Sequence, residues 1–517
     1  MIKTIINQIK HFSWHPYLLA IFPMVALLAY NIAEIEMAEA LRSLLVSLLV
    51  AMILSIVLRL LVKESHKAAA ISSLALVLFF SYGHLYNVLE THSLAGVSIG
   101  RHRIIAPIYL AVFGIGMWWI ARRTRNLRLL TQTLNIVALA AVALPVTQIL
   151  AYYVQESRAV TAKPSNTAED LHITGDRLAP DIYYIILDAY SRDDVLENFY
   201  NFDNSSFLDE LNRLGFYVAR CSQSNYAQTQ LSLASSLNMD FINLLGKGFS
   251  EEQTNRVGMP GLIKHSTARQ LLERLGYKMV AFETGYYWTQ VEDADVYISP
   301  KSSATSLLDV TGGLNGFESL LIKTSAGLII VDGASALPKF LQLDLNYPDQ
   351  VHRERVLFTL DQLGKLPAMP GPKFIFAHIV SPHKPFVFGP NGEIVEQEKD
   401  NITGYKDQVA YLNSRLIPLF QKIIANSSRA PIIIIQGDHG GLDTSVEERM
   451  AVLNAYYLPE GGSHLLYENI SPVNTFRLIF NHYFGSHYDL LEDISLFSSY
   501  KYPYQYTAIS NTRPGCP

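Results

Sequence analysis

Five apolar stretches crowd the first third of the chain, at 17–35, 43–62, 68–88, 104–121 and 134–154. Each runs close to the ~20 residues that a helix needs to cross a bilayer. Only 17% of the 517 residues are charged, and the mean hydropathy is positive. A buried helical core could account for one such stretch, but five in succession point to a membrane-embedded domain. The first stretch does not read as a cleavable signal, because no small-residue cleavage site follows it and more spans come behind.

Loop charges set the expected orientation. Lys3 and Lys10 precede the first span, Arg59, Lys63 and Lys67 lie between the second and third, and Arg122, Arg123, Arg125 and Arg128 between the fourth and fifth. Glu34, Glu36 and Glu39 occupy the loop after the first span. The basic loops belong in the cytoplasm, so the N-terminus is inside and everything after 154 emerges outside. Arg101 and Arg103 are the exception to the pattern.

The chain thus divides into a five-helix transmembrane domain (1–154), a polar linker (155–180) and a globular domain (181–517). Helical and strand patterns alternate in the last part. Helices are expected at 207–214, 267–275 and 405–424, and strands at 181–187, 215–219, 276–282, 373–380 and 430–437. A helix start is read near 470–477. Such βαβα order implies a mostly parallel sheet with helices on both faces. The segment 317–343 is rich in Leu, Ile and Ala but broken by Lys323, Asp332, Gly333 and Pro338. It is read as core of the globular domain, or else as an interfacial segment resting on the membrane. A net charge of −5 without a basic tract argues against nucleic acid. The two cysteines, Cys221 and Cys516, have no metal-type spacing and could pair in an oxidising compartment.

Two apolar, β-branched runs each stop at a carboxylate: Asp188 after one, Asp438 with His439 after the other. In open α/β sheets the carboxyl ends of the strands carry the ligand site, so these three side chains suggest one composite metal site. Capping of the following turns is the simpler alternative for each Asp. Between the two runs, Thr229 opens a helical pattern. A hydroxyl there meets the unpaired N–H groups and positive end of a helix, which suits phosphate. An N-cap role is its alternative.

The ordered set Asp188, Thr229 and Asp438-His439, behind a five-span anchor, resembles the alkaline phosphatase/sulfatase superfamily. Within it, the chain is similar to the membrane-anchored lipid headgroup transferases, lipoteichoic acid synthase and lipid A phosphoethanolamine transferase. The resemblance implies an alkaline phosphatase/sulfatase-like catalytic domain in which Asp188, Thr229, Asp438 and His439 ligate one divalent metal (Mn, Zn or Mg). It makes Thr229 the nucleophile and His383 a substrate-contacting histidine. Asp188 departs from the Glu usual in those transferases. Both are hard oxygen ligands, so metal preference is what that change puts in doubt. Thr229-Gln-Leu-Ser-Leu lacks the Cys/Ser-x-Pro-x-Arg context of sulfatases, which argues against sulfate-ester hydrolysis. No convincing second Asp/His set is found, so one metal is expected.

The function so implied is transfer of phosphoethanolamine or phosphoglycerol from a phospholipid to an envelope glycan or lipid, through a phospho-threonine. The expected place is the bacterial inner membrane, with the catalytic domain outside. A hydrolase on the same fold, or a non-catalytic lipid sensor, are the alternatives. Arg192 and Trp288 are further candidates for substrate contact, against a salt bridge for Arg192 and a core role for Trp288. His378 is read as structural, pointing away from the site.

Overall fold

The computed structural model describes residues 12–90, 92–94, 97–160, 171, 179–246, 248–300, 314–333, 347–395 and 399–516. Most of the expected linker lies outside the described residues, as does the end of the 317–343 segment. The chain forms two compact units, 1–154 with 305–348, and 155–304 with 349–517.

The first unit holds α1 (His15–Tyr30), α2 (Met37–Val62), α3 (Ser65–Glu90), α4 (His102–Arg122) and all but the last residues of α5 (Leu127–Val160). Among the described residues, α2 to α5 are long and apolar enough to cross a membrane, whereas α1, with 16 residues, is shorter. Their outer faces are bare hydrocarbon: Leu60, Leu61, Leu110, Ile136 and Leu144 are each about two-thirds exposed or more. Water would not tolerate that surface and lipid does. This is a membrane protein with an apolar N-terminal helix bundle.

The segment expected to be core of the globular domain instead packs in this unit, as helices Gly316–Lys323 and Gly327–Gly333. Asn315 and Glu318 form a capping box at its start. Glu318 pairs with Arg42 of α2, Phe317 is fully buried, and the Ala326 amide donates to the Phe79 carbonyl of α3 at 2.7 Å. Its apolar residues were legible, but the surface that covers them lies far away in sequence.

The second unit is built on a seven-stranded sheet: β1 (Ile182–Leu187), β2 (Tyr217–Val218), β3 (Lys278–Phe282), β4 (Val296–Ile298), β5 (Lys373–Ile379), β6 (Ile432–Gly437) and β7 (Asn454–Tyr457). Their order is β2-β7-β6-β1-β5-β3-β4. The five strands from β6 to β4 are parallel, and β7 and β2 add antiparallel at one edge. The sheet is mostly parallel, as the alternation of patterns implies. The expected helices are present at Ser205–Arg213, Thr267–Arg274, Asn401–Asn426 and Pro472–Phe484.

Each face of the sheet carries its own core. Successive strand side chains point to opposite faces. Ile182, Tyr184 and Ile186 of β1 therefore pack with α6 (Thr229–Asn238) and the Pro472–Phe484 helix, while Tyr183, Ile185 and Leu187 pack with the Asn401–Asn426 helix. The same parity in β5 and β6 puts Phe374, Phe376, Ile432 and Ile434 on the α6 face. Continued by one step, it carries Asp188, His378 and Asp438 toward α6.

Candidate metal centre

Asp188 follows β1 and Asp438 follows β6, and these neighbouring strands run in parallel register, Leu187 opposite Gly437. Two carboxylates therefore emerge side by side at the carboxyl edge of the sheet. Glycine at 437 lets the Tyr190 backbone pass close to the end of β6, since a Cβ there would lie 2.4 Å from the Tyr190 carbonyl oxygen. The chain turns sharply after Asp188: Ala189 adopts φ 65°, a conformation that side chains other than glycine's seldom take. That turn aims the Ala189 amide at Asp438 Oδ1, 2.9 Å away. Asp188 is held by its backbone as well, its N–H donating to Ile379 at 2.9 Å and its carbonyl accepting from His383 at 3.0 Å.

His439 completes the cluster. Ligand atoms of Asp188, Asp438 and His439 all lie within 4.8 Å of one another, and all three residues are buried. His439 Nδ1 lies 2.7 Å from the Gly440 carbonyl. A carbonyl only accepts, so Nδ1 carries the proton and the neutral ring turns its Nε2 lone pair to the other side. There it sits 3.6 Å from Asp438 Oδ2 and 3.7 Å from Asp188 Oδ1. Burial lowers the proton affinity of His439, in spite of the nearby Asp438 and Asp188 carboxylates. Burial pushes Asp188 up, but His383, His378 and His439 outweigh it and hold the carboxyl well below the usual range.

Among the described residues, the buried Asp188 Oδ1 and Asp438 Oδ2 have no hydrogen-bond partner. Two buried, partnerless carboxylate oxygens facing an imidazole lone pair are mutually repulsive and costly to desolvate. A cation removes that conflict. Two hard oxygens with one imidazole fit a divalent ion such as Mg, Mn or Zn.

Thr229 is the first residue of α6, with Gln228 as N-cap. The Gln228 side chain makes no cap. It donates to the Ser498 carbonyl at 3.0 Å and accepts from Arg256. The first turn of α6 is thus left without an N-cap side chain on its N–H groups, the arrangement that receives anions. The preceding loop is tied to the metal-type cluster, as Ser224 Oγ donates to the Asp438 carbonyl at 2.5 Å. Beneath the site, Tyr184 OH reaches Ser236 of α6 at 2.8 Å and Gln436 of β6 at 2.9 Å, fixing the helix to the sheet.

His383 lies in the loop after β5, its ring centroid 6.3 Å from that of His439. Its Nδ1 is 2.7 Å from the Lys384 carbonyl. His378 does not point away, contrary to expectation. Strand parity brings it to the site, with Nε2 3.2 Å from Asp188 Oδ2 and Nδ1 3.2 Å from Thr289 Oγ1. The buried Trp288 stacks obliquely beside His378 at 5.5 Å between ring centroids. Arg192 takes the salt-bridge alternative: it is buried, pairs with Asp194 through two nitrogens, and also donates to the Ser222 carbonyl and Asn511. Cys221 and Cys516 form a disulfide.

Fold and site together define a membrane protein whose α/β domain carries a buried two-carboxylate, one-imidazole centre. No family model matches the chain, and no curated protein matches it. Among solved structures, it is similar to the lipooligosaccharide phosphoethanolamine transferase EptA of Neisseria meningitidis, at 11% identity and TM-score 0.40, covering 92% of this chain and 95% of that one. It also matches the periplasmic domain of Escherichia coli EptC in complex with zinc, at 12% identity and TM-score 0.41, covering 67% and 96%. A third match is the lipoteichoic acid synthase LtaP of Listeria monocytogenes, at 12% identity and TM-score 0.34, covering 59% and 71%. At these identities and TM-scores the likeness leaves the chemistry to the chain's own residues.

Proposed function

We propose that this protein transfers a phosphoethanolamine or phosphoglycerol group from a phospholipid to an envelope glycan or lipid, by way of a phosphorylated Thr229. The observation that carries the reading is the pair of partnerless buried oxygens, Asp188 Oδ1 and Asp438 Oδ2, facing the His439 Nε2 lone pair. Asp188, Asp438 and His439 would hold one divalent ion, with the Thr229 hydroxyl as a further ligand. When bound, such an ion supplies the positive charge that lowers a hydroxyl's pKa and offsets charge on phosphoryl oxygens.

Thr229 is the nucleophile in this scheme. A bond forms from its oxygen to phosphorus, the bond from phosphorus to the diacylglycerol oxygen breaks, and the threonine proton is made up on the leaving oxygen. His383 is assigned that proton transfer. The uncapped start of α6 offers N–H groups to the phosphoryl oxygens. A hydroxyl of the acceptor then attacks phosphorus, the bond from phosphorus to the Thr229 oxygen breaks, and the acceptor's proton is returned to that oxygen. The charge bias of the loops and the Cys221–Cys516 disulfide support an extracytoplasmic domain on a multi-pass protein of the bacterial inner membrane.

The test is the mass of the Thr229 peptide after the purified protein meets mixed phospholipids without acceptor, with Thr229→Ala as blank. The expected result is a phosphoethanolamine or phosphoglycerol adduct absent from the blank. An unmodified peptide with accumulating diacylglycerol would indicate a hydrolase instead. No adduct and no lipid turnover with Mn, Zn or Mg would leave the non-catalytic sensor.

A further inference from the structure

The chain beyond His439 folds back on itself. Two glycines lead into the short helix Val446–Met450, closed at its start by a Ser445–Glu448 capping box. The return brings Arg449 to the site: its carbonyl accepts from the Gly440 amide at 2.6 Å, beside His439. Its side chain crosses to the other wall, where Nε donates to the Ala227 carbonyl at 2.9 Å, two residues ahead of Thr229. Arg449 therefore bridges the loop of the metal-type cluster and the loop of the threonine.

What the guanidinium does not do is equally specific. Among the described residues no carboxylate forms an ion pair with Arg449, and the Ala227 bond engages only Nε. Among the described residues both terminal nitrogens remain uncommitted, on a group that offers five N–H donors in a fixed fork. Yet its charge is felt by the site, since the Asp438 and Asp188 carboxylates counter the effect of burial on it. A purely structural arginine buries its fork against acceptors, as Arg192 does with Asp194, Ser222 and Asn511.

We propose that Arg449 grips the phosphoryl group, its two terminal nitrogens taking non-bridging oxygens while Nε stays anchored on Ala227. A planar fork suits that bidentate geometry and a lysine does not. This inference rests on the phosphoryl-transfer reading of the same site. It adds the residue that would orient the group for attack at Thr229, and it was invisible to motif reading.

The test uses the full-length protein in detergent, loaded with manganese, with inorganic phosphate as the probe in a calorimetric titration. Manganese content and thermal midpoint are measured on the same samples without phosphate. Arg449→Ala is expected to weaken phosphate binding roughly tenfold to a hundredfold, with manganese content and midpoint kept. Arg449→Lys retains the charge but loses the anchor on Ala227, and is expected to recover part of the affinity. If Arg449→Ala binds phosphate as wild type does, the inference is overturned and the Thr229 reading is untouched. If both variants lose manganese or midpoint alike, Arg449 is a clamp and the inference is again overturned. Should Arg449→Ala fail to fold, the Lys variant decides: phosphate affinity equal to wild type overturns the inference. Wild type that neither binds phosphate nor forms a Thr229 adduct would sink the functional reading and this inference together.

Discussion

The amide of Ala189 donates to Asp438 Oδ1 across 2.9 Å, and Ala189 sits at φ 65° to do so. One strained residue thereby joins the ends of β1 and β6 and leaves Asp438 Oδ2 as the free oxygen. A left-handed alanine costs on the order of 1–2 kcal/mol. Ala189→Gly relieves that strain but adds unfolded-state freedom, so stability should change by less than about 1 kcal/mol. Ala189→Val, branched at Cβ, should cost about 1–3 kcal/mol and weaken metal binding. Thermal midpoints and manganese titrations of the two variants check this. A Val variant as stable and as metal-avid as the Gly variant would show that the turn is not constrained.

His378 offers a second prediction. Its Nε2 lies 3.2 Å from Asp188 Oδ2, on the oxygen opposite the partnerless Oδ1. An imidazole at that distance would steady the carboxylate from the side away from Oδ1. Side chains that steady a ligand typically change metal affinity by about 10–100-fold. His378→Leu should lose affinity within that range and still bind one ion per chain. Wild-type affinity in the variant would make the contact incidental.

These two residues also mark how far the sequence could be read. Asp188 and Asp438 were legible because each ends an apolar β-branched run, and burial of such a run fixes where it stops. His378 was not, because its contact depends on β5 lying beside β1, and strand order is not written in any local pattern. Nor could the two helices of 316–333 be assigned, since what buries Phe317 is a helix surface hundreds of residues earlier. Arg449 reaches the site only because the chain beyond Gly440 doubles back. Period and punctuation yield elements, whereas the pairing of distant elements decides which polar residues meet.

A third prediction concerns pH. Burial, helped by Arg355 and His383, lowers the buried His352 imidazole from 6.5 to about 3, and among the described residues its Nε2 has no hydrogen-bond partner. The folded value lies below the unfolded one, so the unfolded chain takes up the proton first. Stability from this group is complete above about pH 6.5 and is lost as pH falls toward 3, at up to ~1.4 kcal/mol per pH unit. Between pH 7 and 5, wild type should therefore lose about 2 kcal/mol more than His352→Leu, read as the shift in urea midpoint. His439, which moves in the same direction, is common to both proteins and cancels. Parallel losses in wild type and variant would mean that His352 is not held neutral.

The disulfide makes the last prediction, because it tests the compartment and the fold at once. Cys221 and Cys516 are 295 residues apart in sequence and joined in the structure. Around the bond, Asn511 donates to the Cys221 carbonyl at 2.8 Å and Arg513 pairs with Asp193 at 2.6 Å, so the C-terminal tail is fastened near the segment that leads to Thr229. Closing so long a loop removes freedom mainly from the unfolded chain, worth about 2–4 kcal/mol. Cys516→Ser should lower stability by about that amount while leaving the Asp188–Asp438–His439 cluster able to bind metal. Such a bond persists in an oxidising space and is rare in the cytosol. Full-length protein taken from native membranes and denatured without reductant should therefore carry no thiol reactive to maleimide, and should gain two on reduction. Labelling of both cysteines before reduction would place the α/β domain on the cytoplasmic side, and the transfer of lipid headgroups to an outer acceptor would fall with it.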